Sequence, residues 1–406
     1  MTSQIHKMTP LMPEGPHDRQ FEDLALKVMQ KSAALGSQQH KITRNSLKDM
    51  LRIINSYYSN LIEGHRTHPY DIARAMEKKY DSDPAKRNLQ LESVAHIEVQ
   101  KLMEKKLLEE PELNIASKEF LCYLHREFYE RLPDEFRIVT DLETKRERRV
   151  IPGELRDEDV IVGLHVPPES KYLDELLGRY EDFYAPHKHH GSAKLVALAA
   201  AHHRLMWIHP FLDGNGRVVR LFTEAYFQRI EVTGFGLWSV SRGLARKNAE
   251  YKAALQGADI IRRNDLDGRG HLSNEGLTSF CRFFLETCLD QVEYMNDLLR
   301  LDGLVDRVKN YIDLRNRGMI PGPPNKEQSI RPEASRMLQD VMVYGKLTRG
   351  DLIKASGLKD RTGRTLLTRL LDEGLLISDT PKGEVKLGFP IHATEWLFPG
   401  LYPPQR

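Results

Sequence analysis

The residues from His209 to Arg220 are of types that suit chemistry on a polyphosphate. They read His-Pro-Phe-Leu-Asp-Gly-Asn-Gly-Arg-Val-Val-Arg. His209 can accept a proton near neutral pH, as a general base must. Asp213 can hold a divalent cation, because such ions prefer hard oxygen ligands. The first half of the run therefore offers a base and a metal ligand.

The second half of the run can bind phosphate. Gly214 and Gly216 carry no Cβ, so the backbone N–H groups around Asn215 are open to phosphate oxygens. Arg217 and Arg220 supply forked donors that match phosphate geometry. The alternative is a structural His-Pro turn followed by a capping glycine. That alternative does not require an acid and two arginines in register, so the run predicts a catalytic site.

Two helical patterns flank this run. Residues 192–208 are mostly apolar and rich in alanine, which predicts a buried helix that Pro210 ends. Residues 218–230 repeat apolar side chains at helical spacing. The two glycines should therefore lie at a helix N-terminus, where unpaired N–H groups and the helix dipole favour anions.

The run resembles the motif of the Fic family, His-Pro-Phe-x-Asp/Glu-Gly-Asn-Gly-Arg-x-x-Arg, and it fills every defined position. The resemblance implies a protein that transfers AMP from ATP to a hydroxyl side chain of a target protein or of itself. It implies His209 as the base and Asp213 as the ligand of Mg²⁺. The nucleotide-binding residues that it implies are Gly214, Asn215, Gly216, Arg217, Arg220 and, on a later helix, Tyr251.

A second motif lies upstream, from Ser59 to Gly64. It resembles the inhibitory motif of Fic proteins, Ser/Thr-x-x-x-Glu-Gly/Asn, with Ser59 and Glu63 at defined positions. A carboxylate delivered by Glu63 would pair with Arg220 and occupy the arginine that the γ-phosphate needs. Without the downstream motif, Glu63 would be an ordinary residue at a helix end. The resemblance therefore implies an autoinhibited enzyme.

The helical patterns along the chain, together with the resemblance, predict a mainly α-helical protein with a Fic-type helical core, a small β-hairpin flap and a C-terminal winged helix-turn-helix domain. The predicted boundaries are residues 1–110 for an N-terminal helical region with the inhibitory helix at about 45–64, 111–312 for the catalytic core, 313–331 for a linker, and 332–395 for the winged helix-turn-helix domain.

The flap is predicted from short β-type runs between residues 160 and 168. Its residues Ile161, Val162 and Gly163 would, by the resemblance, hold a target segment through backbone hydrogen bonds. The alternative is a plain structural hairpin.

The C-terminal pattern of helix, helix–turn–helix and hairpin resembles a winged helix-turn-helix domain. Arg361, Arg364 and Arg369 lie on the polar face of its third helix and are the candidate DNA contacts. Acidic residues dilute the basic excess of this region, so protein contacts are the alternative.

The composition fits a soluble globular protein of two or three domains, with 406 residues, a net charge of +2 and 40% hydrophobic residues. The near-balanced charge argues against a protein that coats nucleic acid. Three unpaired cysteines and no membrane span predict the cytoplasm. Two other functions stay open: a DNA-binding regulator whose Fic core senses nucleotide, which the intact His209 argues against, and a Fic transferase of UMP or phosphate.

Overall fold

A computed structural model of the chain describes residues 4–14, 18–38, 40–140, 145–323 and 329–404. As the sequence predicted, these residues are mainly α-helical, with small antiparallel sheets. The helices before residue 320 are α1 (Asp18–Ser37), α2 (Lys41–Ile62), α3 (Pro69–Met76), α4 (Pro84–Glu109), α5 (Lys118–Glu130), α6 (Leu173–Tyr184), α7 (Ala193–Ile208), α8 (Asn215–Arg229), α9 (Val240–Arg246), α10 (Asn248–Asp259), α11 (Asn274–Leu298) and α12 (Leu301–Asn316). Throughout the described ranges, no helix is both long and apolar enough to cross a lipid bilayer.

Helix α7 forms the centre of the core. Every residue from Leu195 to Leu205 is buried, and the small alanines among them allow α6, α8 and α11 to pack closely. The buried Arg204 is satisfied by the Pro10 carbonyl, to which its Nη2 donates at 2.7 Å. The segment that follows α7 therefore starts from a rigid, fully packed helix.

Helix α2 lies against α8 and also packs on α4 and α9. Its buried apolar residues recur at helical spacing and include Leu47, Met50, Leu51, Ile54, Tyr58 and Ile62. The helix ends because Gly64 adopts a φ of 92°, a left-handed conformation that favours glycine. Glu63 is the C-cap residue of this helix.

The predicted hairpin over residues 160–168 is wrong in extent. Val162 and His165 form a single bridge, with N–H to O distances of 2.9 and 3.0 Å. Pro167 and Pro168 have no N–H that would continue a ladder. Ile161 is 75% exposed, so no partner strand covers its side chain.

A different hairpin precedes that segment, which the sequence did not predict. Strands β1 (Ile138–Thr140) and β2 (Glu147–Arg149) pair antiparallel. The strands are only three residues long, and the sequence of β2 has no apolar alternation. Arg148 of β2 donates to Glu158 at 3.3 Å, which ties this hairpin to the turn that follows.

Short helices and strands follow α12, and the winged helix-turn-helix domain stays a prediction. They are α13 (Ala334–Tyr344), β3 (Lys346–Leu347), α14 (Arg349–Ala355), α15 (Asp360–Asp372), β4 (Leu376–Ile377), β5 (Val385–Leu387) and α16 (Ile391–Leu397). The strands pair antiparallel in the order β3–β5–β4. The sequence predicted neither β3 nor α16.

The C-terminal elements pack on the rest of the chain. Arg315 of α12 donates to Glu373 at 3.1 Å, and both side chains are fully buried. Helix α16 packs against α12 and α3. The linker predicted at 313–331 begins in α12, which continues to Asn316, and its residues 324–328 lie outside the described ranges.

Candidate active site

The loop between α7 and α8 carries the motif, and its backbone turns sharply at both ends. His209 caps α7 with φ 50° and ψ 61°, and Gly214 precedes α8 with φ 79°. The Asn215 side chain closes the loop, since its Oδ1 accepts from the N–H of Phe211 at 2.9 Å and its Nδ2 donates to the carbonyl of Phe211 at 2.8 Å. Phe211 is fully buried and stacks on His125 at 4.1 Å. The side chain of Asn215 thus holds the loop together through hydrogen bonds to the backbone of Phe211.

His209 lies partly exposed at the start of this loop. Burial, with smaller contributions from His165 and Arg156, lowers the pKa of His209 to about 4. Its ring is therefore neutral at pH 7 and can accept a proton. Arg156 fixes the backbone here, because its Nε donates to the His209 carbonyl at 2.8 Å.

Asp213 is anchored by two donors. Its Oδ2 accepts from the Tyr129 hydroxyl at 2.5 Å and from Arg217 Nη2 at 3.1 Å. Burial opposes ionisation, but Arg217 and the Tyr129 hydroxyl outweigh it and lower the pKa of Asp213. The carboxylate is thus charged at neutral pH, and its side chain is 44% exposed.

The donor set around Asp213 fits Mg²⁺ that arrives with a nucleotide. Among the described residues, no group of three or more His, Cys, Asp or Glu side chains is arranged to hold a metal ion. Mg²⁺ commonly takes one or two carboxylates and completes its shell with water and substrate phosphates. A single ionised, partly exposed carboxylate meets that requirement.

Arg217 is engaged by two carboxylates. Its Nη1 donates to Glu92, and its Nη2 reaches Asp213. Glu92 is fully buried and also contacts His65 Nδ1 at 2.6 Å. The guanidinium stacks over the ring of Phe128 at 5.0 Å. Arg217 is therefore held in place, and its predicted contact with a phosphate stays a prediction.

Arg220 forms the contacts expected from the upstream motif. Its Nη2 donates to Glu63 Oε1 at 2.6 Å, and its Nε donates to Ser59 Oγ at 2.9 Å. Arg220 is 2% exposed. Burial opposes ionisation of Glu63, but Arg220 and Arg217 outweigh it, so the pKa of Glu63 is lowered. A charged carboxylate is therefore delivered to the motif helix.

Gly216 shows where that carboxylate lies. A Cβ added to Gly216 would be 2.3 Å from Glu63 Oε1 and 3.0 Å from Arg220 Nη1. Gly216 is in the first turn of α8, where backbone N–H groups and the helix dipole attract anions. Glu63 thus fills the place at which the sequence predicts phosphate binding.

Tyr251 and the flap residues lie around this centre in different ways. Tyr251 is 2% exposed, and its hydroxyl bonds to His202 Nε2 at 2.8 Å. Direct contact of Tyr251 with a nucleotide stays a prediction. Ile161 and Val162 are exposed, and Gly163 has a φ of 61°.

The sequence missed several residues that build the site. Glu92 of α4 and Tyr129 of α5 carry no motif of their own. Glu92 lies in α4 on a helical face of mixed polarity, so only the burial of a charged side chain singles it out. Their roles depend on tertiary contacts that no local pattern reveals.

The candidate DNA contacts lie away from the motif, on α15. Arg361 and Arg364 are exposed, and Arg364 is 3.7 Å from Asp360. Arg369 donates to the buried Glu373 at 3.0 Å. Arg361 and Arg364 therefore lie on the exposed face of α15, whereas Arg369 is held by the buried Glu373.

This helical domain, with its motif at a helix N-terminus, has known counterparts. Residues 115–227 match the Fic/DOC family. The chain is 33% identical over 110 residues to Protein adenylyltransferase Fic of Drosophila willistoni, a match that covers 26% of this chain and 22% of the relative. It is 35% identical over 111 residues to the protein of the same name from Drosophila virilis, covering 26% and 23%. The matched segment thus spans less than a quarter of these curated relatives.

Solved structures share the fold. A Fic family protein from Desulfovibrio desulfuricans G20 matches with a TM-score of 0.53 and 17% identity, over 93% of this chain and 98% of that chain. Fic-1 from C. elegans matches with a TM-score of 0.51 and 18% identity, over 68% of this chain and 72% of that chain. The chain therefore shares its fold with solved Fic proteins, and within it residues 115–227 match the Fic/DOC family model.

Proposed function

We propose that this protein transfers AMP from ATP to a serine, threonine or tyrosine hydroxyl of a target protein, and that Glu63 inhibits the transfer. The main support is the position of the Glu63 carboxylate, which accepts a hydrogen bond from Arg220 and lies next to Gly216 at the N-terminus of α8. A place that accepts one anion in this way suits a phosphate group. Similarity to proteins named adenylyltransferases supports AMP as the group transferred.

In the proposed reaction, His209 takes the proton of the target hydroxyl, whose oxygen forms a bond to the α-phosphorus of ATP. The bond from that phosphorus to the oxygen bridging to the β-phosphate breaks, and pyrophosphate leaves with the electron pair. Backbone N–H groups at the start of α8 stabilise charge on the phosphate oxygens. The negative charge of bound ATP would raise the low pKa of His209 toward the range in which a general base works best.

The arginines would bind the outer phosphates. Arg220 is available only when Glu63 leaves it, because the two are paired at 2.6 Å. Arg217 is already oriented by Glu92 and Asp213. Asp213 would hold Mg²⁺, which when bound offsets the negative charge of the phosphates.

The test is labelling of a cell lysate and of the protein itself, with the Glu63→Gly variant as enzyme. Label should enter protein from ATP labelled at the α-phosphate and not from ATP labelled at the γ-phosphate. The change His209→Ala should abolish labelling, whereas His187→Ala, at an exposed histidine, should not.

Other outcomes select the other functions. Transfer of the γ-label would identify a phosphotransferase, and preference for α-labelled UTP would identify a UMP transferase. No labelling from any nucleotide, together with ATP binding, would favour a nucleotide-sensing regulator and overturn the proposal.

We also propose that duplex DNA binds the exposed face of α15. The supporting observation is that Arg361 and Arg364 lie exposed beside Thr365 and Thr368, a set of side chains suited to phosphate contacts. Arg369 is a weaker candidate because it is paired with Glu373.

A further inference from the structure

The chain that follows α16 runs back over the core and reaches α2. We call residues 398–403 the C-terminal strap. Phe398 and Leu401 are 0% and 1% exposed, and Tyr402 is 5% exposed. Pro399 accepts a hydrogen bond from the Tyr294 hydroxyl of α11 at 3.1 Å. The strap thus buries three of its six side chains against the rest of the protein, whereas Pro399, Gly400 and Pro403 are exposed.

Arg242 of α9 anchors the strap. Its Nε donates to the Leu401 carbonyl at 3.1 Å, and its Nη2 donates to the Gly400 carbonyl at 2.8 Å. Its Nη1 donates to Gln291 at 2.8 Å, and the side chain is 4% exposed. A buried guanidinium is costly unless it is hydrogen-bonded, so displacing the strap would leave Arg242 poorly satisfied. This arrangement holds the strap firmly on α9.

The same carbonyl holds the inhibitory helix. The Tyr58 hydroxyl donates to the Leu401 carbonyl at 3.0 Å, and Tyr58 is 3% exposed. The next residue is Ser59, whose Oγ and carbonyl both accept from Arg220. Consecutive helical residues point about 100° apart, so neighbouring residues of α2 contact the strap and the motif helix α8.

The C-terminal elements also contact the beginning of α2. A Cβ added to Gly345, which precedes β3, would lie 2.0 Å from His40 Nδ1. His40 is the N-cap of α2, where Nδ1 accepts from the N–H of Ile42 at 3.2 Å. The part of the chain after α12 therefore touches α2 near both of its ends.

We propose that the C-terminal strap holds α2 in the position that keeps Glu63 on Arg220, so that breaking the contact between the strap and α2 activates the enzyme. This proposal rests on the proposed function in one respect, namely that Glu63 inhibits transfer. It makes Tyr58 and Arg242 positioning residues that act through Glu63. It also couples any displacement of the C-terminal elements to the active site.

The experiment uses the full chain and the change Tyr58→Phe, which removes only the hydroxyl that bonds to the strap. Backbone amides of α2 from residues 57 to 62 should exchange hydrogen faster than in the wild type. AMP incorporation should rise about two- to tenfold, the equivalent of one net hydrogen bond. Arg242→Lys, which cannot bridge both carbonyls, should act in the same direction.

Tyr402→Phe is the matched control. It removes a hydroxyl of the strap that bonds to the Ile391 carbonyl at 3.2 Å, within the C-terminal elements. Neither the exchange of α2 nor the rate of transfer should change in this variant. A rise equal to that of Tyr58→Phe would mean that general loosening, rather than the contact with α2, causes the effect.

A double variant separates the strap from other routes. In the Glu63→Gly background, Tyr58→Phe should add nothing, because the group on which it acts is gone. A further rise by the same factor, or α2 exchange in Tyr58→Phe as slow as in the wild type, would overturn the proposal. If Glu63→Gly transfers no AMP, the proposed function fails, while the exchange rates still decide whether the strap holds α2.

Discussion

Replacing Glu63 with glycine removes a carboxylate whose Oε1 lies 2.6 Å from Arg220 Nη2. Hydrogen bonds to charged groups contribute about 1.5–3 kcal/mol, and each 1.36 kcal/mol is a factor of about ten. The Glu63 side chain is 33% exposed, so solvent screens part of this energy. Unscreened, 1.5–3 kcal/mol corresponds to a rise of about 13- to 160-fold. Because solvent screens the pair, we expect AMP incorporation to rise roughly ten- to fortyfold.

The change should not disturb the helix itself. Glu63 is a C-cap residue with φ −79° and ψ −2°, a position that glycine tolerates. Glu77 offers a matched control, because it is the C-cap of α3 and is exposed. Glu77→Gly should leave transfer unchanged. Glu63→Asp should give a smaller rise than Glu63→Gly, since the charge stays but its reach shortens.

The assay is the initial rate of label incorporation from α-labelled ATP, into the protein itself and into a target, across ATP concentrations. Thermal melting gives an independent readout. Without nucleotide, Glu63→Gly leaves the buried Arg220 with Ser59 as its remaining partner, so the melting temperature should fall, and ATP should restore it. Glu63→Gly combined with Arg220→Ala should be inactive. If Glu63→Gly incorporates no more label than the wild type at any ATP concentration, the carboxylate does not restrain the site.

Four further predictions concern other groups. His209→Ala should abolish transfer. For the Glu63→Gly enzyme, kcat/KM for ATP reports the enzyme without ATP and should fall only as pH drops through about 4, where the neutral base is lost; a limb centred near the ordinary histidine pKa would contradict the effect of burial. Asp213→Asn should cut transfer strongly and weaken its magnesium dependence, and an unchanged magnesium titration would refute that ligand. Arg361→Ala with Arg364→Ala should lower duplex DNA affinity and flatten its salt dependence, whereas no binding by the wild type at low salt would point to protein contacts. Burial raises the pKa of Glu224 to about 7, above its value in the unfolded chain, so stability that is present at acid pH is lost as pH rises toward 7. Between pH 5 and pH 8 the melting temperature should therefore fall more in the wild type than in Glu224→Gln, and an equal fall in both would refute this.

Local patterns predicted the helices that carry the site. The apolar face of α2 and the alanine-rich α7 have a helical period over several turns, and such periods are set by the sequence itself. The contact between Glu63 and Arg220 was implied by the resemblance of two segments to motifs of the Fic family. The helices are signalled by a spacing along the chain, which a sequence displays directly.

Contacts between distant elements could not be predicted in this way. Glu92 pairs with Arg217, and Tyr129 donates to Asp213, across long stretches of chain. The hairpin of β1 and β2 is equally invisible, because its strands are short and lack apolar alternation. The exposed β-type run around Val162 forms only one bridge, since β-type residues form strands only where a partner pairs with them.

Helix α8 shows how the proposed inhibition would be linked to folding in this chain. Its buried charges Arg217 and Arg220 are three residues apart, and each is paired with a helix of the N-terminal region, through Glu92 of α4 and Glu63 of α2. A buried arginine needs an acceptor, because an unpaired charge in the interior is costly. The chain therefore supplies carboxylates at the donors that, in the proposed reaction, hold phosphates. In the proposed mechanism, Glu63 and the outer phosphate of ATP compete for Arg220, so the degree of inhibition would depend on how firmly α2 is held as well as on the affinity for ATP.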